Sequence, residues 1–191
     1  MEDLFKGKLV RLAGIDPAEV SKSFTQWNRD SEYKRMLDSV PPQLHSTQAT
    51  KGWLEKHIKE QPENTFWFAI RTLEDDRLLG DIDLTVTSWG SRDAFVGIGI
   101  GDREFWGKGY GADALQMILR YAFIELNLRR VSLTVFGYNQ RAIRMYTKAG
   151  FQPEGHLRQA LAREGQRWDM LFMGILREEW MEYHDHKTKK D

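Results

Sequence analysis

A glycine-rich segment, residues 105–112, carries the strongest chemical signal in the chain. Gly107, Gly109 and Gly111 lack Cβ atoms, so successive backbone N–H groups there can turn toward one point. The helix predicted directly behind them adds unpaired amide donors and the positive end of its dipole. The segment therefore predicts a binding site for a phosphate or pyrophosphate, with a tight turn that binds no ligand as the alternative.

Two familiar kinds of phosphate-binding loop differ from this segment. A nucleoside-triphosphate P-loop needs Gly-Lys followed by Ser or Thr, whereas Lys108 is followed by Gly109. A dinucleotide fingerprint is closer, because Gly107, Gly109 and Ala112 have its spacing. That fingerprint also needs an acidic residue about 20 positions onward to bind a ribose, and residues 131–138 contain none. The P-loop is excluded, and the dinucleotide fingerprint is only weakly supported.

A second group of residues with chemical potential begins at Asn139, directly after a predicted strand. Asn139 is suited to cap a short helix, and positions 139, 142, 143 and 146 then share one helix face. Tyr146 would therefore face the end of that strand. Without further context, a tyrosine at this spacing is more often a core aromatic residue than a catalytic group.

Hydrophobic periodicity predicts the elements that position these residues. Strands are predicted over residues 8–15, 65–72, 78–87, 94–101, 131–136, 151–161 and 167–176. Helices are predicted after Asp16-Pro17, around residues 27–37, and over residues 47–59, 111–126 and 139–149. These elements predict one mixed α/β domain over residues 1–183, followed by a polar tail over residues 184–191.

The composition limits the classes of partner. With 191 residues, of which 41% are hydrophobic and 29% charged, the chain suits one globular core. Its 28 basic and 28 acidic residues create no net field toward nucleic acid or a membrane. The chain has no cysteine, which excludes disulfides, thiolate metal sites and a cysteine nucleophile. We expect a cytoplasmic protein with no metal, no nucleic-acid partner and no membrane partner, and a homodimer is plausible because a strand edge is exposed.

Four segments of the C-terminal half resemble the GNAT superfamily of acetyl-CoA-dependent N-acetyltransferases, in the branch of ribosomal-protein alanine and spermidine acetyltransferases. They are residues 98–102, 106–112, 139–151 and 154–158, the last with Gly165 and Asp169. The resemblance implies a central, strongly twisted and mostly antiparallel sheet of six to seven strands. It also implies a splayed parallel pair in that sheet, four to five flanking helices, and acetyl transfer to an amine.

The resemblance also implies roles for particular residues. The glycine segment would bind the pyrophosphate of acetyl-CoA, the preceding strand would bind its pantetheine arm, and Tyr146 would protonate the departing thiolate. Arg144 or Lys148 would meet the 3′-phosphate, with a solvated surface position as the alternative for each. The residues implied in cofactor binding are Ile98, Gly99, Ile100, Trp106, Gly107, Lys108, Gly109, Tyr110, Gly111, Ala112, Asn139, Ala142, Met145 and Tyr146.

The acceptor side departs from the family pattern. Phe95 and Thr134 stand where many relatives carry a glutamate, so no obvious general base remains. This favours an acceptor amine of low pKa, such as a peptide N-terminus, or deprotonation through water, while a polyamine or another small amine stays open. Four other carboxylates could reach the site in three dimensions, although a surface or cap role is the favoured interpretation of each; they are Asp30, Glu32, Asp81 and Asp83.

Aromatic and polar residues of the helical lobe and one loop are candidates for lining the acceptor side, with packing of the lobe as the alternative. They are Trp27, Asn28, Asp30, Tyr33 and Trp89. A non-catalytic acyl-CoA-binding module or sensor is the alternative function, since it would keep the glycine segment and lack the chemistry.

Overall fold

The computed structural model describes residues 3–188, with side chains described as far as Tyr183. The strands are β1 (Val10–Ala13), β2 (Thr65–Thr72), β3 (Leu78–Ser88), β4 (Asp93–Ile100), β5 (Arg130–Phe136), β6 (Gln152–Arg163) and β7 (Gln166–Leu176). The helices are α1 (Pro17–Asn28), α2 (Ser31–Leu37), α3 (Thr47–Lys59), α4 (Tyr110–Arg120), α5 (Gln140–Lys148) and α6 (Arg177–Thr188). All seven predicted strands are present.

The seven strands form one sheet in the order β1-β2-β3-β4-β5-β7-β6. β1 pairs with β2, β5 with β7 and β6 with β7, in each case antiparallel. β4 and β5 are parallel, with Asp93 opposite Arg130 and Phe95 opposite Ser132, and β4 continues to Ile100. The predicted mixed α/β fold, a mostly antiparallel sheet with one parallel pair, is confirmed.

Side chains at the helix N-termini determine where the helices of the lobe begin. Asp16 caps α1 by accepting a hydrogen bond from the Ala18 N–H at 2.8 Å, as its sequence predicted. Ser46 caps α3 by accepting from the Ala49 N–H at 3.1 Å. A third cap, Asp30, starts α2, so the helical segment predicted around residues 27–37 is divided between two helices.

The long helix after the glycine segment changes geometry near its end. α4 continues as a π-helical segment, Tyr121–Glu125, where the sequence predicted regular helix over residues 111–126. The Leu126 N–H donates to the carbonyl five residues earlier, at 3.0 Å. The segment buries Phe123 completely, with its ring centroid 5.4 Å from that of Trp180. Hydrophobic spacing identified the helical run but not the additional residue in its last turn.

The chain divides into two compact units. The first comprises Met1–Asp83 and Gly97–Met117, and the second comprises Leu84–Val96 and Ile118–Asp191. Fully buried residues of the first unit include Val10, Val20, Leu54, Ile70, Leu79 and Ile82. Fully buried residues of the second unit include Leu84, Ile118, Phe123, Leu128, Val131 and Ile175. The single domain predicted over residues 1–183 stays a prediction.

The described chain ends in a helix that the sequence did not predict. α6 follows β7 directly and reaches Thr188, so it includes the first residues of the predicted polar tail. Residues 189–191 of that tail lie outside the described residues. With α6, the described chain has six α-helices rather than the expected four to five. No helix among residues 3–188 has the length and apolar character needed to cross a membrane.

Candidate active site

The glycine segment begins next to a short 3-10 turn over Arg103–Phe105. Trp106 donates its indole Nε1–H to the Ile100 carbonyl at 2.6 Å, which ties the segment to the end of β4. The backbone N–H of Trp106 donates to the carbonyl of the first residue of the turn, at 3.1 Å. Because that amide is already bonded, the donors that the segment can offer to an anion begin at Gly107.

Two glycines of the segment have backbone angles that other residues rarely adopt. Gly107 has φ +73° and Gly109 has φ +94°. A Cβ on Gly107 would meet open space, and one on Gly109 would lie 3.4 Å from the Leu9 side chain. The backbone angle, and not crowding, therefore requires glycine at these two positions.

The N-terminus of α4 lies directly behind these glycines. Its first intrahelical hydrogen bond runs from the Asp113 N–H to the Gly109 carbonyl at 2.9 Å. Within the described chain, the amides of residues 110–112 precede this first bonded turn and can donate to a bound anion. The Asp113 carboxylate is itself held by the backbone amides of residues 8–10, at 2.7–3.1 Å. Its negative charge is therefore satisfied by donors of its own.

At the C-terminal end of β4, one face carries no side chains, because glycine occupies alternate positions 97, 99 and 101; we call this stretch the glycine face. A Cβ on Gly99 would lie 2.9 Å from the Tyr33 hydroxyl, and one on Gly101 would overlap the Trp27 indole. Tyr33 and Trp27 are buried, at 5% and 8% exposure. These two residues were predicted to line the acceptor side, with packing of the lobe as the alternative. Their close packing on the glycine face agrees with that alternative.

Asp30, also predicted for the acceptor side, has a carboxylate that is already engaged. It accepts from the Glu32 and Tyr33 amides at 3.0 and 3.2 Å, and so caps α2. It also forms a two-pronged ion pair with Arg103, whose guanidinium holds the pKa of Asp30 below its usual value. Asp30 lines a polar cleft of about 470 Å³ together with Trp27. The cap that the sequence predicted is present, and a role in binding an acceptor stays a prediction.

Two partly buried aspartates of β3 share one face of the strand. Trp67 of β2 donates its indole Nε1–H to Asp81 at 2.8 Å. Asp83 lies beside the glycine face, since a Cβ on Gly97 would be 2.5 Å from its Oδ1 atom. Burial raises the pKa of Asp81 to about 6, and burial with the charge of Asp81 raises the pKa of Asp83 to about 7.

The interpretation of these two aspartates as surface carboxylates was wrong. They alternate along β3 with the fully buried Ile82 and Leu84, while glycines alternate along the glycine face. The two alternating patterns together are the sequence signal for a polar strand face that lies beside a row of glycines on the neighbouring strand. The pattern was visible, but it became meaningful only once β3 was known to neighbour β4.

Asp83→Asn is expected to stabilise the fold at pH 8 but not at pH 4. A pKa raised in the folded state means that the folded chain holds the proton longer than the unfolded chain does, so stability falls as pH rises from about 4 toward 7. Asparagine removes this penalty, whose ceiling is about 4 kcal/mol. Thermal melts at both pH values measure the difference, with the exposed Glu63→Gln as a charge-matched control. An equal shift of Tm at both pH values would assign the effect to packing.

The second group of predicted site residues, which begins at Asn139, lies on α5 in the second unit. Asn139 accepts from the Ala142 N–H at 3.2 Å, which confirms the predicted cap. Tyr146 is 6% exposed, and its ring centroid lies 5.8 Å from that of Phe151. Gly150, with φ +100°, follows α5, and the Phe151 N–H returns to the Tyr146 carbonyl at 3.0 Å. This C-terminal cap and the ring contact hold Tyr146 in place.

The remaining residues predicted for ligand binding are more open. Trp89, in the loop between β3 and β4, is 54% exposed. Arg144 and Lys148 are exposed on α5, and Ile98 and Ile100 are partly buried on β4. Their roles stay predictions. Among the described side chains, no group of three His, Asp or Glu residues could hold a metal ion.

The site elements, in this order along the chain, match a known protein family. Residues 10–152 match the model of the acetyltransferase (GNAT) domain. The chain belongs to the GNAT acetyltransferase family and is an N-acetyltransferase, with acetyl-CoA as the cosubstrate of the family. The resemblance that the sequence motifs indicated is confirmed.

Relatives found by sequence and by structure agree with this assignment. Spermidine N(1)-acetyltransferase of Escherichia coli K12 is 31% identical over 134 residues, which cover 70% of this chain and 68% of that protein. The putative ribosomal N-acetyltransferase YdaF of Bacillus subtilis is 33% identical over 108 residues, covering 56% of this chain and 58% of that protein. The structure of spermidine N-acetyltransferase from Vibrio cholerae, in complex with CoA and spermine, superimposes with a TM-score of 0.77. It is 24% identical and covers 90% of this chain and 98% of that one, and so it shows the fold.

Proposed function

We propose that this chain transfers the acetyl group of acetyl-CoA to a primary amine by direct attack within a ternary complex. The acceptor is a protein N-terminus or a small-molecule amine, including a polyamine. The proposal extends the family assignment by naming the acceptor class and the order of events.

The backbone of the glycine segment is the observation that carries the proposal. Gly107 and Gly109 have positive φ, and the amides of residues 110–112 stand at the start of α4. Such a set of main-chain donors at a helix N-terminus suits the pyrophosphate of acetyl-CoA. We assign pyrophosphate binding to the amides of residues 107–112, with the Trp106 indole fixing the segment to β4.

Tyr146 is proposed as the general acid. Its position is fixed by the cap at Gly150 and by the Phe151 ring, so its hydroxyl needs little reorganisation to donate a proton. The acetyl thioester supplies the activated carbonyl, and the departing sulfur needs a proton once the carbon–sulfur bond breaks. Asn139 is proposed to contact the same ligand while it caps α5.

Direct attack is favoured over a covalent acetyl-enzyme. The chain contains no cysteine to carry a thioester, and no serine stands in a Gly-x-Ser-x-Gly elbow. Holding both reactants together then supplies much of the rate, because a bimolecular step becomes effectively unimolecular.

Release of free coenzyme A thiol from acetyl-CoA tests the proposal. The purified chain is incubated with acetyl-CoA and, separately, spermidine, an alanine-led tripeptide, a serine-led tripeptide and an aminoglycoside. A parallel thermal shift with acetyl-CoA alone measures binding. Turnover with at least one amine supports the proposal. Binding without turnover on any amine would favour the acyl-CoA sensor, and absence of binding would overturn the assignment of the glycine segment.

A further inference from the structure

We infer that Asp83 is the proton acceptor that converts the ammonium of the acceptor into the attacking amine, with Asp81 and Trp67 as its positioning residues. The inference rests on the proposed function, because it names the base that the proposed attack requires. It places the base on β3 and not on the strand that leads into the glycine segment.

The register of β3 and β4 brings Asp83 to the glycine face. The Gly101 N–H donates to the Leu79 carbonyl at 2.8 Å, so these two residues lie opposite each other. Counting along two antiparallel neighbours then places Asp83 opposite Gly97. The close approach of Asp83 Oδ1 to the position of a Cβ on Gly97 agrees with this register. The Asp83 carboxylate therefore occupies the space that the side chain of any residue other than glycine at position 97 would fill.

The two aspartates differ in their partners, and this difference selects Asp83 as the base. Asp81 is fixed by the Trp67 indole, whose hydrogen bond favours the ionised form of Asp81. No hydrogen bond or ion pair to the Asp83 carboxylate occurs among the described side chains. Its oxygens are thus available to an incoming ammonium, while Asp81 supplies a fixed negative charge two residues away.

The charged and titratable groups around the pair are few. On β3 itself, Asp81 acts on Asp83 by charge repulsion. From α2, Lys34 lies near Asp81 as a positive charge. Tyr33, also on α2, is a buried phenol whose pKa is raised by burial and by the charge of Asp81. β2 contributes the neutral Trp67, and β4 contributes glycine. A base with a pKa near neutrality suits catalysis at physiological pH.

The step balances in atoms and charge. Asp83 takes one proton from the ammonium and leaves a lone pair on the nitrogen. The nitrogen then bonds to the carbonyl carbon, and the carbon–sulfur bond breaks with its electron pair on sulfur. The thiolate takes a proton from Tyr146, which regains one from the new amide nitrogen. Asp83 finally releases its proton to water, so the net products are the amide, the free thiol and one proton.

The experiment measures kcat/KM for thiol release from pH 6 to pH 10, with spermidine and with an alanine-led tripeptide as acceptors. At pH 7, Asp83→Asn is expected to lower kcat/KM by about 100-fold. The difference in kcat/KM between the wild type and Asp83→Asn is expected to narrow as the pH approaches the pKa of the acceptor, because a neutral amine needs no base. Asp83→Glu is expected to restore part of the rate at pH 7. Glu63→Gln, on the exposed surface, is the matched control.

Asp81→Asn tests the positioning role independently. Removing the charge of Asp81 lowers the pKa of Asp83, so the acid limb of the wild-type profile, expected near pH 7, moves to lower pH. This result decides the inference even where Asp83→Asn fails to bind acetyl-CoA in a thermal shift.

Three results would overturn the inference alone while the wild type remains active. They are an unchanged profile for Asp83→Asn, a loss of equal size at every pH, and an acid limb that Asp81→Asn leaves in place. Absence of wild-type turnover with both acceptors and with every amine of the panel would instead overturn the proposed function, and this inference with it.

Discussion

Tyr146→Phe is expected to lower kcat about 100-fold while the affinity for acetyl-CoA stays close to that of the wild type. The substitution removes one hydroxyl, and a positioned general acid typically contributes about 10²–10⁴ in rate. The ring contact with Phe151 and the cap at Gly150 do not involve the hydroxyl, so the fold of α5 is retained. Steady-state thiol release and calorimetric titration of acetyl-CoA measure the two quantities separately.

Tyr121→Phe is the matched control for this variant. Tyr121 lies in the π-helical segment, outside the residues proposed to bind acetyl-CoA, and its substitution removes the same hydroxyl group. We expect the control to retain wild-type turnover. If Tyr146→Phe also retained it, water or another group would have to protonate the thiolate, and the proposed role of Tyr146 would be lost.

Gly109→Val is expected to weaken acetyl-CoA binding about 10- to 100-fold. Gly109 has φ +94°, where a β-branched residue is strained by about 1–3 kcal/mol. Relief of that strain moves the amides that precede α4 out of the geometry that binds pyrophosphate. Each 1.4 kcal/mol corresponds to about a tenfold change in affinity, and calorimetry with acetyl-CoA measures it directly.

Gly14→Val separates this effect from a general loss of stability. Gly14 is exposed and lies outside the glycine segment, and a Cβ added there would meet no atom within 4 Å. The control is expected to bind acetyl-CoA normally. If Gly109→Val bound acetyl-CoA with wild-type affinity, the backbone of the segment would not be what binds the pyrophosphate. The proposed role of the glycine segment would then be wrong.

Local patterns predicted most of the secondary structure. The caps Asp16 and Asn139 and all seven strands follow from residue type and spacing within a few positions of the chain. The positive φ angles of Gly107 and Gly109 could also be predicted, because glycine adopts that conformation more readily than other residues do. The family resemblance then supplied the mostly antiparallel sheet with its parallel pair, which periodicity alone does not determine.

The features that escaped prediction depend on neighbours distant in sequence. Asp83 is partly buried because Gly97, on the next strand, gives it room, and no short sequence window around Asp83 contains that information. The packing of Trp27 and Tyr33 on Gly101 and Gly99 also depends on a distant strand, and their contact with a ligand stays a prediction. The π-helical segment differs from an α-helix by a single residue, which hydrophobic periodicity does not resolve.

The glycine face has a consequence for redesigning acceptor preference. At positions 97, 99 and 101 the chain has no side chain, and neighbouring side chains already fill the space next to them. Most substitutions at these positions would therefore cause steric clashes. Diversity is better introduced at Trp27 and Tyr33, which pack on Gly101 and Gly99, because a smaller residue there opens space over an unaltered strand. The backbone of β4 then stays unchanged, and new selectivity would come from varying the side chains that pack on it.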